Sequence, residues 1–137
     1  GFGSWFDADP SQRPPSEARR SFAAFQTVVQ QYPESDYAPD ARKRMIYLRN
    51  RLADYEVAVA RYYVRRGAWV GALARAKFAV ENFDGAPSVR EALALMVTSY
   101  RELGMTDLAQ QTEQVYRENF GAAPDDTEVK KPWWRFW

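Results

Sequence analysis

The sequence predicts an all-α protein, a solenoid of about five antiparallel helices of which one is long. Three observations lead to this fold class. Apolar residues recur at helical spacing in five segments, glycine or proline follows each segment, and two 17-residue units, 67–83 and 104–120, both end in Glu-Asn-Phe. Helix pairs that repeat at a fixed period are typical of solenoids, with an unrelated helical bundle as the alternative.

The first two predicted helices differ in length. Ser16 can cap a helix that runs to about Tyr32, before Pro33. The second runs from about Pro39 to Arg66, which corresponds to roughly 40 Å, and Gly67 ends it. It carries two apolar stripes and should therefore pack on two sides. The stripes are Ala41, Met45, Leu48, Leu52, Tyr55, Val59 and Tyr62, and Ile46, Ala53, Val57, Ala60 and Val64.

Three shorter helices are predicted at about 68–83, 88–103 and 106–120, and a capping box of Ser88 and Glu91 opens the middle one. Their predicted inward residues are Trp69, Leu73, Ala76, Val80 and Phe83; Val89, Leu93, Met96, Val97, Tyr100 and Leu103; and Leu108, Ala109, Thr112, Val115 and Tyr116. We therefore expect one helical domain over 16–120. An irregular aromatic-containing loop over 1–15 should precede it, and a flexible basic and aromatic tail over 121–137 should follow.

A short motif specifies the type of helix pair. The tetratricopeptide consensus has Tyr, Gly four residues later, an aromatic residue two further on, and Ala three after that. The full pattern occurs at Tyr63, Gly67, Trp69 and Ala72, and a copy without the aromatic residue occurs at Tyr100, Gly104 and Ala109. Small alanines let paired helices approach closely, so the spacing favours a tetratricopeptide-like fold.

Composition argues against catalysis. The sequence has no histidine and no cysteine, so the commonest general base, the commonest metal ligand and all thiol chemistry are missing. A helical hydrolase is the enzyme alternative, but the acidic pairs Asp7/Asp9 and Asp125/Asp126 lack the neighbours of an acid–base or metal site. We therefore expect no enzyme activity and no cofactor. The net charge of +1 also predicts no bulk attraction to nucleic acid.

Two runs carry a family resemblance. They are ARKRMIYLRNRLADYE at 41–56 and VARYYVRRGAW at 59–69. Together they resemble the C-terminal half of the BamD family, lipoproteins of the machinery that assembles β-barrels in the bacterial outer membrane. The resemblance extends over about residues 1–120, and the Tyr-Tyr and Arg-Gly-Ala-Trp elements stand at the family's spacing.

The resemblance implies a scaffold at the periplasmic face of the outer membrane that docks on the POTRA region of a BamA-like barrel subunit. Other lipoproteins of the machinery would be further partners. The lipid anchor and the N-terminal repeats, which engage unfolded outer-membrane proteins, are expected outside this sequence, since it contains no cysteine. The alternative is a generic tetratricopeptide adaptor that binds an extended peptide of another periplasmic complex.

Two groups of residues are candidate contacts. Arg and Trp are favoured at interfaces. The resemblance places the POTRA contact at Tyr62, Arg65, Arg66, Trp69 and Arg75. The alternative is that most cations of the long helix form a solvated face and that Trp69 belongs to the core. The second group is Trp133, Trp134, Arg135, Phe136 and Trp137. Tryptophan beside cations is typical of peripheral membrane contact, and docking into a groove of this protein or a partner is the alternative.

Overall fold

The computed structural model describes residues 16–121, and this part of the chain contains five α-helices. They are α1 (Ser16–Gln31), α2 (Ala38–Arg65), α3 (Trp69–Asn82), α4 (Val89–Glu102) and α5 (Thr106–Phe120). Each boundary lies within about one residue of the predicted one. The prediction of an all-α, tetratricopeptide-like fold is confirmed. The predicted loop at 1–15 and the predicted tail beyond Gly121 lie outside the described residues.

The described part of the chain divides within α2, between Tyr55 and Glu56, into two compact units. The first unit holds α1 and the beginning of α2, where Leu52 and Ala53 are buried. In the second unit α3 packs on α4, and α4 packs on α5. The buried residues of the second unit include Val57, Ala60, Ala72, Ala76, Leu95, Val97 and Tyr116.

The turns after α2 and α4 have the same backbone geometry. In each of them a glycine has a positive φ, 71° at Gly67 and 75° at Gly104. The next amide donates a hydrogen bond to the carbonyl five residues earlier, over 2.9 Å from Ala68 and 2.8 Å from Met105. This left-handed ending favours glycine because it has no Cβ. The sequence repeat is therefore also a structural repeat.

Small residues allow close packing inside the repeat. Ala72 is 0% exposed and Ala109 is 1% exposed, as the tetratricopeptide spacing predicts. At Gly71 an added Cβ would lie only 3.3 Å from Cδ2 of Tyr63, so the missing side chain leaves room for this ring. A side chain at position 71 would therefore crowd the Tyr63 ring, which lies against the backbone of α3 at this point.

Two residues of α5 that were predicted to be buried are largely exposed. Leu108 and Val115 are each 42% exposed, so their predicted burial is wrong. In α5, which packs on α4, Ala109 and Tyr116 are buried. Leu108 and Val115 each precede one of these residues, and one residue turns the helix by about 100°. They therefore lie beside the buried stripe and not within it.

Two further predictions are wrong in detail. Ile46 is 51% exposed, and the stripe to which it was assigned is buried only from Ala53 to Ala60. Ser88 has helical backbone angles, φ −70° and ψ −10°, and its side chain makes no capping hydrogen bond. Its carbonyl instead accepts the amide of Ala92 at 3.0 Å. The backbone is thus already helical at Ser88, whereas a capping serine has an extended backbone. The serine side chain is therefore not oriented toward the first amides of α4.

Alanine at Gly67 or Gly104 should lower the free energy of unfolding by about 1 kcal/mol, because a residue with a Cβ disfavours positive φ. No atom lies within 4 Å of a Cβ built at either glycine, so backbone strain is the whole cause. Urea denaturation measures the loss. Asparagine tolerates this conformation and should cost less at the same position. An alanine variant as stable as the parent chain would contradict the prediction.

Candidate partner-binding site

Four of the predicted binding residues lie where α2 gives way to α3. Arg65 is the last residue of α2, Trp69 is the first residue of α3, and Arg66 lies in the turn between them. Tyr62 lies within the last turn of α2, three residues before its end. We refer to Tyr62, Arg65, Arg66 and Trp69 as the α2–α3 corner.

Tyr62 forms a platform for two cations. The guanidinium carbon of Arg66 lies 4.8 Å from the centroid of its ring, and that of Arg65 lies 5.7 Å away. Both distances are within the range of a cation–π interaction. The ring of Tyr62 in turn lies 5.9 Å from that of Tyr63, at an angle of 55°. The corner therefore holds two guanidinium groups against one supported aromatic surface.

The positive charge at the corner is concentrated. Partial burial lowers the pKa of Arg65, and the positive charges of Arg61 and Arg66 lower it further, while Tyr62 acts in the opposite direction. An arginine remains protonated at neutral pH despite such a shift. Close cations whose charge is unfavourable in the free protein gain when an anion arrives, so the corner suits a carboxylate that binds in the fork of a guanidinium.

Trp69 and its neighbour add apolar surface to the corner. Trp69 is half-buried, which fits both its repeat position and a partner contact, and Val70 is 69% exposed. The apolar stripes in the sequence gave no sign of Val70, because it lies outside the periodic pattern of α3. An exposed apolar residue beside a half-buried indole and two cations is a typical composition for the core of an interface.

Arg75 makes a contact within this protein that the sequence did not predict. Its Nη1 lies 3.1 Å from Oε2 of Glu56, a carboxylate that is almost fully buried. The side chain of Arg75 is 42% exposed, so the ion pair reaches the surface on the arginine side. A buried carboxylate needs a compensating charge. Arg75 therefore stabilises α2 against α3, and its contact with a partner stays a prediction.

A second ion pair of this region was missed. Arg61 donates two hydrogen bonds to Glu91, over 2.6 Å to Oε2 and 2.9 Å to Oε1. The two residues are thirty positions apart, and spacing along one helix cannot reveal such a pair. This paired geometry joins α2 to α4 and holds the end of α2 in place beneath the corner.

Other kinds of site are not found in residues 16–121. This range contains no group of three or more acidic residues placed to hold a metal ion. None of its helices combines the length and the apolar character that a membrane span requires. The predicted contact residues Trp133, Trp134, Arg135, Phe136 and Trp137 lie outside the described residues.

Comparison with known proteins identifies relatives of this helical repeat. The chain is 38% identical over 133 residues to the outer membrane protein assembly factor BamD of Neisseria meningitidis serogroup A, covering 94% of this chain and 50% of the relative. It is 40% identical over 126 residues to BamD of Xylella fastidiosa, covering 92% and 42%. With BamD of Vibrio cholerae it shares 37% over 114 residues, covering 83% and 47%.

The chain thus spans about half the length of the curated relatives it matches. Residues 2–115 also match the sequence profile of the YfiO family, which is described as an outer membrane lipoprotein. The resemblance to BamD that the two sequence runs indicate is confirmed. Since the matched region is well over half of the chain, this protein belongs to the YfiO family of outer membrane lipoproteins.

Proposed function

We propose that this chain is the partner-docking part of a scaffold subunit that assembles β-barrel proteins in the bacterial outer membrane. Family membership supports the role, since the relatives are named as outer membrane protein assembly factors. The proposed location is the periplasmic face of the outer membrane, beside the other lipoproteins of the machinery. The names of the relatives describe assembly and not a chemical reaction, which agrees with a binding role.

The α2–α3 corner is the proposed docking surface, and its partner is a POTRA domain of the barrel subunit. The observation that carries this assignment is the pair of guanidinium groups held within 6 Å of the Tyr62 ring. Side chains held in this way lose less freedom when they bind. Tyr, Trp and Arg are also the residue types most enriched among interface hot spots. A carboxylate of the partner would complete the contact.

Reversing both charges of the corner should weaken this docking. In the full chain, Arg65→Glu with Arg66→Glu is expected to raise the Kd for a purified POTRA region at least tenfold, because a carboxylate of the partner would then face like charge. Isothermal titration calorimetry with the POTRA region of a relative's barrel subunit measures the effect. Arg75 stays unchanged in this test, since it compensates the buried Glu56.

The matched control is Arg42→Glu with Lys43→Glu, which reverses two exposed cations near the beginning of the same helix. Both variants change the net charge from +1 to −3, so a difference between them reports position and not total charge. A further variant, Arg65→Gln with Arg66→Gln, removes the two charges without placing carboxylates at the C-terminal end of α2, where the helix dipole disfavours anions. Equal affinity of the corner and control variants would contradict the docking assignment.

A further inference from the structure

An ion pair between α2 and α4 involves the residue that directly precedes Tyr62 of the α2–α3 corner. Arg61 donates two hydrogen bonds to the carboxylate of Glu91, from Nε over 2.6 Å and from Nη2 over 2.9 Å. The two side chains are 20% and 39% exposed, so water screens this pair less than a fully exposed one. The pair therefore fixes the direction of the Arg61 side chain relative to α4.

Glu91 itself is held on a well-packed part of the chain. It lies in the first turn of α4, where the helix dipole favours a carboxylate. Its neighbours Ala92 and Leu93 are 0% and 4% exposed. Side chains in a packed core have few alternative positions. The start of α4 therefore gives Arg61 a fixed point of attachment.

The end of α2 is less well packed than the start of α4. Within α2, which the structure describes in full, Ala60 is the last buried residue. The side chains of 61–64 are half-buried, and Arg65 is exposed. The Tyr63 ring lies against α3 at Gly71, so it attaches one side of this turn. The Arg61–Glu91 pair attaches the turn to α4 at the point where the buried part of α2 ends.

The same pair influences which cations the corner presents to a partner. Burial lowers the pKa of Arg65, and the nearby charge of Arg61 lowers it further. Arg61 is therefore close enough to act on the corner, but its Nε and Nη2 are both engaged by Glu91. A carboxylate binds a guanidinium best through two parallel hydrogen bonds, and Glu91 already occupies this edge of Arg61. A carboxylate of a partner thus meets Arg65 and Arg66.

We propose that Glu91 is a positioning residue for the docking surface and acts through Arg61, an inference that rests on the proposed docking function. By attaching the end of α2 to α4, it keeps the Tyr62 ring and its two guanidinium groups in place before a partner arrives. Order that exists in advance reduces the freedom lost on binding. Loss of Glu91 should therefore weaken docking. Charge alone predicts the opposite sign, because removing an anion from a basic surface favours an acidic partner.

In the full chain, Glu91→Gln is expected to raise the Kd for the purified POTRA region of a relative's barrel subunit about fivefold, as isothermal titration calorimetry measures. The matched control is Glu113→Gln, which breaks an ion pair to Arg101 of 2.6 Å that joins α4 to α5. Both substitutions change the net charge from +1 to +2, and circular dichroism checks that both variants are folded. The control should bind like the parent chain. An affinity of Glu91→Gln equal to that of the control, or higher, overturns the proposal.

Hydrogen exchange in the free protein separates positioning from a general loss of stability. The amides of Gly67 and Ala68 donate to the carbonyls of Val64 and Tyr63 over 3.0 and 2.9 Å at the end of α2. Their exchange should become faster in Glu91→Gln and stay unchanged in Glu113→Gln, because only the first variant releases this turn. Unchanged exchange in Glu91→Gln, or an equal increase in both variants, overturns the positioning role.

A double variant and the corner variant complete the test. Arg61→Gln should weaken docking less in the Glu91→Gln background than in the parent chain, because Glu91 acts through Arg61. Independent effects of the two substitutions contradict this route. If Arg65→Glu with Arg66→Glu binds like the parent chain, the docking assignment fails and this inference fails with it. If that variant binds weakly while Glu91→Gln binds like the parent chain, only the positioning role is overturned.

Discussion

Replacing Arg75 by glutamine is expected to lower the free energy of unfolding by about 2 kcal/mol. The substitution leaves Glu56, which is 3% exposed, without the guanidinium that lies 3.1 Å from its carboxylate. Removing one partner of a fully buried pair costs about 3–5 kcal/mol. The loss is smaller here because the arginine side chain is 42% exposed and water screens part of the interaction. Urea denaturation followed by circular dichroism measures it.

Lys77→Gln is the matched control in the same helix. Lys77 lies 3.9 Å from Glu81, and both side chains are more than half exposed. Its loss should stay below about 0.5 kcal/mol. A cycle that adds Glu56→Gln isolates the pair from the other contacts of Arg75, and the double variant should lose less than the sum of the single losses. Additive losses, or equal losses for Arg75→Gln and Lys77→Gln, would show that the pair does not stabilise the fold.

Enlarging the small residues between the helices should have an effect of similar size. Ala72→Leu and Ala109→Leu are each expected to lower the free energy of unfolding by about 1–3 kcal/mol. The alanines are 0% and 1% exposed, so three added carbon atoms must displace packed neighbours. The two losses should also resemble each other, since both residues follow a glycine turn of the same geometry. Thermal unfolding of the two variants measures the effect.

Ala74→Leu provides the control for this overpacking. Ala74 lies on α3 and is exposed, so a larger side chain there meets solvent. Its change in stability should stay within about 0.5 kcal/mol, because leucine and alanine differ little in helix propensity. If Ala72→Leu and Ala109→Leu melt at the temperature of the parent chain, close helix approach at these alanines is not a feature of the repeat.

The Glu56–Arg75 ion pair determines which arginines can be used to test docking. Arg75 was predicted as an outward contact from its residue type and its place on α3. The structure engages it with a buried carboxylate, so reversing its charge would test folding and docking together. Arg65 and Arg66 are both exposed and stack on Tyr62. They separate the two questions, which is why the docking test uses them alone.

Local features of the chain were predictable because their causes are local. Helical spacing of apolar residues predicted five helices to within about one residue. Gly67 and Gly104 predicted the turns, because a positive φ is a property of a single residue and its Cβ. The same reasoning found Ala72 and Ala109, which a repeated motif places at equivalent positions. The corner residues Tyr62, Arg65 and Arg66 were near one another in sequence, so one helix end brings them together.

By itself, the sequence determined the helices, the glycine turns, the repeat and the family, since each depends on residues close together or on a pattern along the chain. Only the tertiary structure decided which side chains are partners across helices. Glu56 and Arg75 are 19 positions apart, and Arg61 and Glu91 are 30 apart. It also decided that Val115 is exposed while its neighbour Tyr116 is buried. Periodicity shows that a helix has an apolar side, but the neighbouring helix determines how much of that side is covered.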